Sequence, residues 1–473
     1  MKGLFLESKA GNRYFYDDTT GIINPIIGDS WTKEEHFNKY QSIIPVQQNL
    51  RSYPVDTRQV KDYLFRQANG FRQLILESTS SCNLRCKYCI YSDHYQYTKG
   101  YENTQLTFEV GKKAIDFYFE NFKTIQYRNP NRKPVIGFYG GEPLINIKTI
   151  REIVEYTKST YTQYGEILFN VTTNGVLFNK EVQKFLVENG FSIIVSLDGN
   201  KENHDRNRVK LNGKGSFDEV ITNIREFKKD YKDYSKFGIS ACYDLKSNLF
   251  DYEQFLDEED LFMVKLARVE AVNSTYYQQF SSCDLNDFDD MMAGLQNKFY
   301  NLASENKIKK DSFLYALIGI NYSELAFHSV INERRTECLP FTSTCVPGEK
   351  IYVTADGKIH MCEKINEKHW IGNVDDGLDY GKITSIINEY NKNICDHCED
   401  CNFTRFCSMC FVQCATDTAF VKSPSLCTNI ERSVRERLTH FLNILEERPD
   451  IFEDITVDYF NTIYEKGGER IEL

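Results

Sequence analysis

Between residue 71 and about residue 275, short apolar runs alternate with amphipathic stretches. Leu74-Ile75-Leu76 and the runs at 135–139, 167–171, 193–197 and 237–241 read as buried strands, with a weaker run at 264–269. Helices fill the intervals. Ile150, Ile153, Val154 and Thr157 share one helical face, and Ser216 with Glu219 reads as a capping box ahead of Val220, Ile221 and Ile224. Six strands alternating with helices predict an α/β fold with a parallel sheet and right-handed crossovers. Periodicity leaves open whether the sheet is flat or rolled. In either form a site lies at the carboxyl ends of the strands.

The flanks read differently. Arg13-Tyr14-Phe15-Tyr16, a turn at 17–21 and the apolar run at 22–27 predict strand, turn, strand. Stretches 32–40 and 57–67 look helical, so residues 1–70 form a small α+β module. Residues 285–335 read as mostly helical, and 338–427 show little periodicity. Ile430, Val434, Leu438, Phe441, Leu442 and Leu445 mark an amphipathic helix over 428–447. At 473 residues the chain exceeds one ordinary core, so several domains are expected. The boundaries fall at 1–70, 71–335, 336–430 and 431–473.

Charge and hydropathy narrow the function. The formal charge is −11 with no basic run, which sets nucleic-acid binding aside. No apolar stretch approaches the roughly 18 residues of a membrane span, and the N-terminus lacks a signal-peptide pattern. A cytoplasmic protein without a membrane partner is expected.

Cysteine changes the picture. There are 15, and ten of them fall between 338 and 427. In a long cytoplasmic chain such clustering points to metal ligation rather than disulfides. Cys82, Cys86 and Cys89 stand directly after the first strand of the sheet as Cys-x3-Cys-x2-Cys. Three thiolates on one loop suit a cubane iron–sulfur cluster with one open iron; a zinc loop completed by His94 is the simpler alternative. Cys242 and Cys283 read as ordinary buried thiols. After the second strand comes Gly140-Gly141-Glu142-Pro143, where glycines admit a close ligand and a carboxylate can pair with an ammonium.

These motifs resemble those of radical S-adenosylmethionine (SAM) enzymes. The resemblance implies a partial (β/α)6 TIM-type barrel in which Cys82, Cys86 and Cys89 hold a [4Fe–4S] cluster that binds SAM. It assigns Tyr88 to adenine, Gly140, Gly141, Glu142 and Pro143 to the ligand's amino end, Ser196 to the ribose and Arg208 to the carboxylate. Thr173, Asn174, Asp198 and Val269 complete the cofactor pocket. Further on, Cys345-x11-Gly357-x4-Cys362 and the run Cys398, Cys401, Cys407, Cys410, Cys414 and Cys427 are similar to the SPASM extension. That extension carries two auxiliary [4Fe–4S] clusters, three in all. Cys398, Cys401, Cys407 and Cys427 map to the second. Cys345 and Cys362 map to the first, with either Cys410 or Cys414. Cys338 is its remaining ligand or leaves an iron open to a substrate thiolate. Gly357 lies in an Asp-Gly hairpin turn that brings Cys345 and Cys362 together.

The resemblance implies an enzyme that cleaves SAM to a 5′-deoxyadenosyl radical with an electron from a flavodoxin or ferredoxin-type reductant. The segment from Cys338 to Asn366 looks most like maturases of ribosomal peptides that join a cysteine sulfur to carbon, of the ranthipeptide or sactipeptide type. The partner is then a cysteine-containing precursor peptide. By layout, residues 1–70 resemble the winged-helix-like domains that bind a leader by adding it to a sheet edge. Alternatives are a carbon–carbon crosslinking maturase and a sulfatase-maturase-like enzyme making formylglycine, in which Glu363 stands at the base position. A non-catalytic scaffold would not need Cys82, Cys86, Cys89 and Glu142 intact.

Overall fold

The computed structural model describes residues 2–28, 54–309, 312–319, 344–395 and 398–449, apart from positions 19 and 99, with a few isolated residues between. The helix expected over 32–40, Cys338 and the tail beyond 449 lie outside the described residues.

An antiparallel sheet comes first, with β1 (Gly3–Glu7), β2 (Arg13–Asp17) and β3 (Ile23–Pro25) in chain order. The hairpin between β2 and β3 matches the expected strand–turn–strand; β1 adds a strand. Six parallel strands follow, also in chain order: β4 (Gln73–Thr79), β5 (Val135–Gly140), β6 (Leu168–Thr173), β7 (Ser192–Ser196), β8 (Phe237–Tyr243) and β9 (Met263–Arg268). All six coincide with the predicted apolar runs. The row stays open at β9, as in a partial barrel. Every residue of β4 is buried: the apolar run Leu74-Ile75-Leu76 packs into the core, and Gln73, Glu77, Ser78 and Thr79 are buried polar positions at its ends.

Helices cover the outer face. Helix Phe108–Arg128 starts where the Thr107 side chain accepts from Val110 N–H, and it buries Ala114, Ile115, Tyr118, Phe119, Phe122 and Ile125. Helix Ile147–Thr160 buries Ile150, Ile153, Val154 and Thr157, as their spacing requires. Helix Phe217–Asp230 forms, but Ser216 does not cap it. The Ser216 hydroxyl is committed elsewhere: it donates to Arg208 O (2.9 Å) and meets His204 Nε2 (2.9 Å).

The cysteine-rich segment is better ordered than its composition suggests. Strand β10 (Lys350–Val353) pairs parallel to β4, Ile351 opposite Leu74, and so extends the barrel sheet. It turns at Gly357 (φ 87°) into β11 (Lys358–His360), followed by β12 (Gly372–Asn373) and β13 (Gly377–Leu378). Glu77 of β4 accepts from Ala355 N–H (3.0 Å) and fixes that turn against the barrel. Helix Tyr380–Ile394 buries Ile383, Ile386, Ile387, Tyr390 and Ile394. The segment expected to lack periodicity therefore has an apolar face at helical spacing.

Helix Pro424–Glu447 buries Ile430, Val434, Leu438, Phe441 and Leu442 and runs unbroken through residue 430. The N-terminal sheet packs on this helix and on the cysteine-rich segment. Arg405 N–H donates to Asp18 Oδ1 (3.0 Å), Lys9 N–H to Asn443 Oδ1 (2.8 Å) and Tyr14 to Glu446 (2.6 Å). Val55 exchanges two hydrogen bonds with Asn388 (2.7 and 2.9 Å). Among the described residues no helix is long and apolar enough to cross a membrane.

Candidate active site

The loop after β4 brings Cys82, Cys86 and Cys89 to one cavity of about 380 Å³ at the carboxyl ends of the strands. Its backbone is pinned to the far side of the barrel: Arg85 N–H donates to Val209 O (2.7 Å) and Lys87 N–H to Asn207 O (3.0 Å). Burial pushes the Cys82 thiol up to about 11, helped by the Glu142 charge, and raises Cys86 further. Raised thiols favour the protonated form, and metal binding would release those protons.

The glycines of β5 let the next loop close on this one. Gly140 sits at φ 124°, and a Cβ there would lie 2.3 Å from Thr79 O. A Cβ on Gly141 would lie 2.1 Å from Ser81 O. Gly141 and Glu142 N–H donate to Thr79 O and Ser81 O (2.8 and 2.9 Å). Only residues without a side chain allow this approach.

Glu142 is buried, and its carboxylate accepts from Thr173 Oγ1 (2.6 Å), Asn174 N (2.7 Å) and Leu144 N (3.1 Å). Burial raises its pKa, and these hydrogen bonds only partly offset that. A cationic ligand group would reverse the balance. Arg208 is buried opposite. Its Nη1 donates to Tyr88 OH (2.6 Å), and Tyr88 donates in turn to Asp198. Arg208 Nε is buried without a hydrogen-bond partner among the described residues. Three thiols, a buried carboxylate and an incompletely bonded guanidinium on one cavity fit a cluster and an amino-acid ligand chelated to it.

Of the other expected pocket residues, Thr173, Asn174, Ser196 and Val269 line the same cavity. Asp198 stands behind the wall on Tyr88 and accepts from Cys242 N–H (2.9 Å). Pro143 is buried in the turn after Glu142 rather than on the cavity surface. Sequence reasoning missed much of the lining, including the ionisable side chains of Cys242, Lys265 and Lys364. Cys242, read as a plain buried thiol, ends β8 at the cavity, and Lys265 projects from β9. Lys364 joins Glu363, Val412 and Gln413 in a wall supplied by the cysteine-rich segment. Alternation along β8 and β9 was the available signal, but it does not say which face turns inward. Cys283 is exposed, not buried, because it lies in the first turn of helix Ser282–Ser304.

The remaining cysteines fall into two neighbourhoods. Cys401 lies within electrostatic reach of Cys398 and Cys407, and Cys407 within reach of Cys427. Cys410 lies within reach of Cys345 and of Cys362. Cys414 neighbours Cys410, Cys427 and Cys407. Burial comes first among the causes that push Cys362 and Cys401 up to about 12. Among the described residues no three His, Cys, Asp or Glu side chains converge as on a single ion. A cubane instead takes thiolates on separate irons.

Residues 76–241 match the Radical SAM superfamily. The chain carries a radical SAM domain. It is an oxidoreductase-type enzyme, with homology to anaerobic sulfatase-maturating enzymes. It is 24% identical over 341 residues to the cysteine-type anaerobic sulfatase-maturating enzyme of Clostridium novyi, covering 71% of this chain and 86% of that one. It is 24% identical over 405 residues to the radical SAM cyclopropyl synthase TigE of Paramaledivibacter caminithermalis, covering 82% and 76%. The solved structure of native anSMEcpe with bound AdoMet superposes with a TM-score of 0.56 at 19% identity, over 82% of this chain and 99% of that one. The radical SAM fold thus accounts for the parallel row, and a radical SAM domain implies a [4Fe–4S] cluster.

Proposed function

We propose that this radical SAM enzyme is a peptide maturase that installs thioether crosslinks between cysteine sulfur and carbon within a ribosomal precursor peptide. The observation that carries the reading is the shared cavity. Its barrel side presents Cys82, Cys86, Cys89, Glu142 and Arg208, and its far wall presents Glu363, the residue after Cys362 in the chain. A thiol-bearing substrate seated there lies between the two.

Cys82, Cys86 and Cys89 would hold the radical cluster. Cys398, Cys401, Cys407 and Cys427 would hold one auxiliary cluster, and Cys345, Cys362 and Cys410 the other; Cys338 lies outside the described residues. The clusters supply reductive cleavage of SAM, with electrons from a flavodoxin or ferredoxin-type donor, and an oxidant for the substrate radical. The chain's own residues bind and orient. Glu142 takes the SAM ammonium, Arg208 its carboxylate, Ser196 the ribose and Tyr88 the adenine edge. Tyr88, Tyr95, Tyr101, Phe138 and Ile194 line the cavity and would help to position the reacting carbon. Residues 1–70 bind the leader.

Relatives named as cysteine-type sulfatase-maturating enzymes support a polypeptide substrate and a reacting cysteine. They also favour a second reading, formylglycine formation, in which Glu363 takes a proton. The test is anaerobic turnover with the cysteine-containing precursor. Thioether formation removes two hydrogen atoms per bond and leaves those thiols closed to alkylation. Formylglycine instead gives an aldehyde that captures a hydrazide. Loss of two hydrogens with every thiol still alkylatable means a carbon–carbon link and rejects the leading reading.

A further inference from the structure

Most charged groups on the cavity have protein partners. Glu142 accepts three hydrogen bonds, and Arg208 reaches Tyr88 and Asp198. Glu270 accepts from the N–H groups of Ala271 and Val272 (3.0 Å each), and Arg268 lies over the rings of Tyr277 and Phe288 (5.6 and 5.3 Å). Lys265, Glu363 and Lys364 stand apart.

Lys265 pairs in register with Ser240, and both line the cavity, so the ammonium enters the barrel rather than solvent. It is half-buried, with no hydrogen bond or ion pair among the described residues. Lys364 lines the cavity from the cysteine-rich segment; it is exposed, and it too has no side-chain hydrogen bond or ion pair among the described residues. Glu363 Oε2 is buried and unbonded beside them. Burial holds the Lys265 ammonium below the ordinary lysine value, and the Lys364 charge adds to this, while Glu363 only partly offsets it. Two cations and one carboxylate leave one positive charge at this end of the cavity, with Lys265 partly withdrawn from water and Lys364 exposed. A charge withdrawn from water without a partner is costly, and an anionic ligand removes that cost.

We propose that Lys265 and Lys364 form a carboxylate subsite of the substrate cavity, so that the segment being processed carries a carboxylate there. This rests on the peptide-maturase reading and deepens it. One net positive charge beside Glu363 matches a carboxylate better than a doubly charged phosphate. The carboxylate comes from an acidic side chain next to the reacting cysteine or from a free C-terminus.

The test uses the reconstituted, SAM-loaded holoenzyme and three synthetic probes. These are Gly-Gly-Cys-Asp-Gly-Gly amide, its Asn counterpart as the amide, and the Asn counterpart with a free C-terminus. Binding is read by competition against a labelled Asp peptide, and peptide mass is read in parallel. The Asp amide is expected to bind about tenfold tighter than the Asn amide, the scale of one charge-assisted hydrogen bond. That preference falls below about twofold in the Lys265→Met/Lys364→Met double variant and survives in Lys265→Arg. A gain confined to the free C-terminus supports the subsite with the terminus as its source. Equal affinity for all three, no binding of any, or a preference that survives the double substitution overturns it. Loss of iron from the double variant also overturns it, because the lysines then serve the clusters. Preference among the probes, with the full leader-bearing precursor showing no change in mass, would sink the maturase reading and leave the subsite standing.

Discussion

Glu142 is a buried carboxylate held by three donors, and its burial disfavours the charge it needs for an ammonium ligand. Glu142→Gln keeps the shape and removes that charge. SAM affinity should fall roughly 10- to 100-fold, the range for a lost hydrogen bond to a charged group. Equilibrium binding to reconstituted protein checks it; unchanged affinity would remove Glu142 from the site. Behind the pocket, Arg206 forms a paired bridge to Asp244 (2.8 Å twice). Burial raises the Asp244 pKa, but hydrogen bonds from Arg206, Tyr276 and Asn207, together with the Arg206 charge, outweigh it, and the net shift is downward. A depressed carboxyl adds stability above its unfolded value near pH 4, and that stability disappears as pH falls through the folded value. Arg206→Ala strands the buried carboxylate and should cost about 3 kcal/mol. Denaturant unfolding at pH 7 measures it, and the difference from the parent should shrink in acid. At this scale the ligand-type residues were legible because cysteines, glycines and a carboxylate at fixed spacings carry chemistry in their identity. Lys265 and Cys242 were not, because a lone lysine or cysteine on a strand shows its role only once the strand's inward face is known.

The loops at the strand ends depend on close backbone contact. Gly141→Ala sets a Cβ against Ser81 O, and the cysteine loop must shift to admit it. The expected outcome is a stability loss of about 1–3 kcal/mol together with weaker SAM binding. A variant with wild-type thermal unfolding and SAM affinity would contradict that contact. The six barrel strands could be read from the sequence because each holds a short apolar run, even though β4, β6 and β9 also carry polar residues. Pairing of β10 with β4 could not, since about 270 residues separate them and no local pattern encodes a long-range register. Helix Tyr380–Ile394 did carry its signal, in the spacing of Ile383, Ile386, Ile387, Tyr390 and Ile394. Ser216 illustrates the opposite case: a capping pattern whose hydroxyl the tertiary fold uses for His204 and Arg208.

Across the whole molecule, the N-terminal strands, the cysteine-rich segment and the last described helix form one packed body. Asp18 holds Arg405, which lies between Cys401 and Cys407, so the first strands brace the loop proposed to bind an auxiliary cluster. Removing residues 1–70 is therefore expected to lower auxiliary iron as well as peptide processing, while SAM cleavage at the barrel persists. Iron analysis of the truncated protein decides this; full iron with normal processing would end both roles for the segment. The central claim is that Cys82, Cys86 and Cys89 build the radical site while the other cysteines serve elsewhere. The most direct measurement compares the parent with the Cys82→Ala/Cys86→Ala/Cys89→Ala variant after anaerobic reconstitution, reading iron content and 5′-deoxyadenosine released with dithionite and SAM. The variant should keep about two-thirds of the iron, as three equal clusters require, and release no 5′-deoxyadenosine. Release at the parent's level would contradict the assignment of the site.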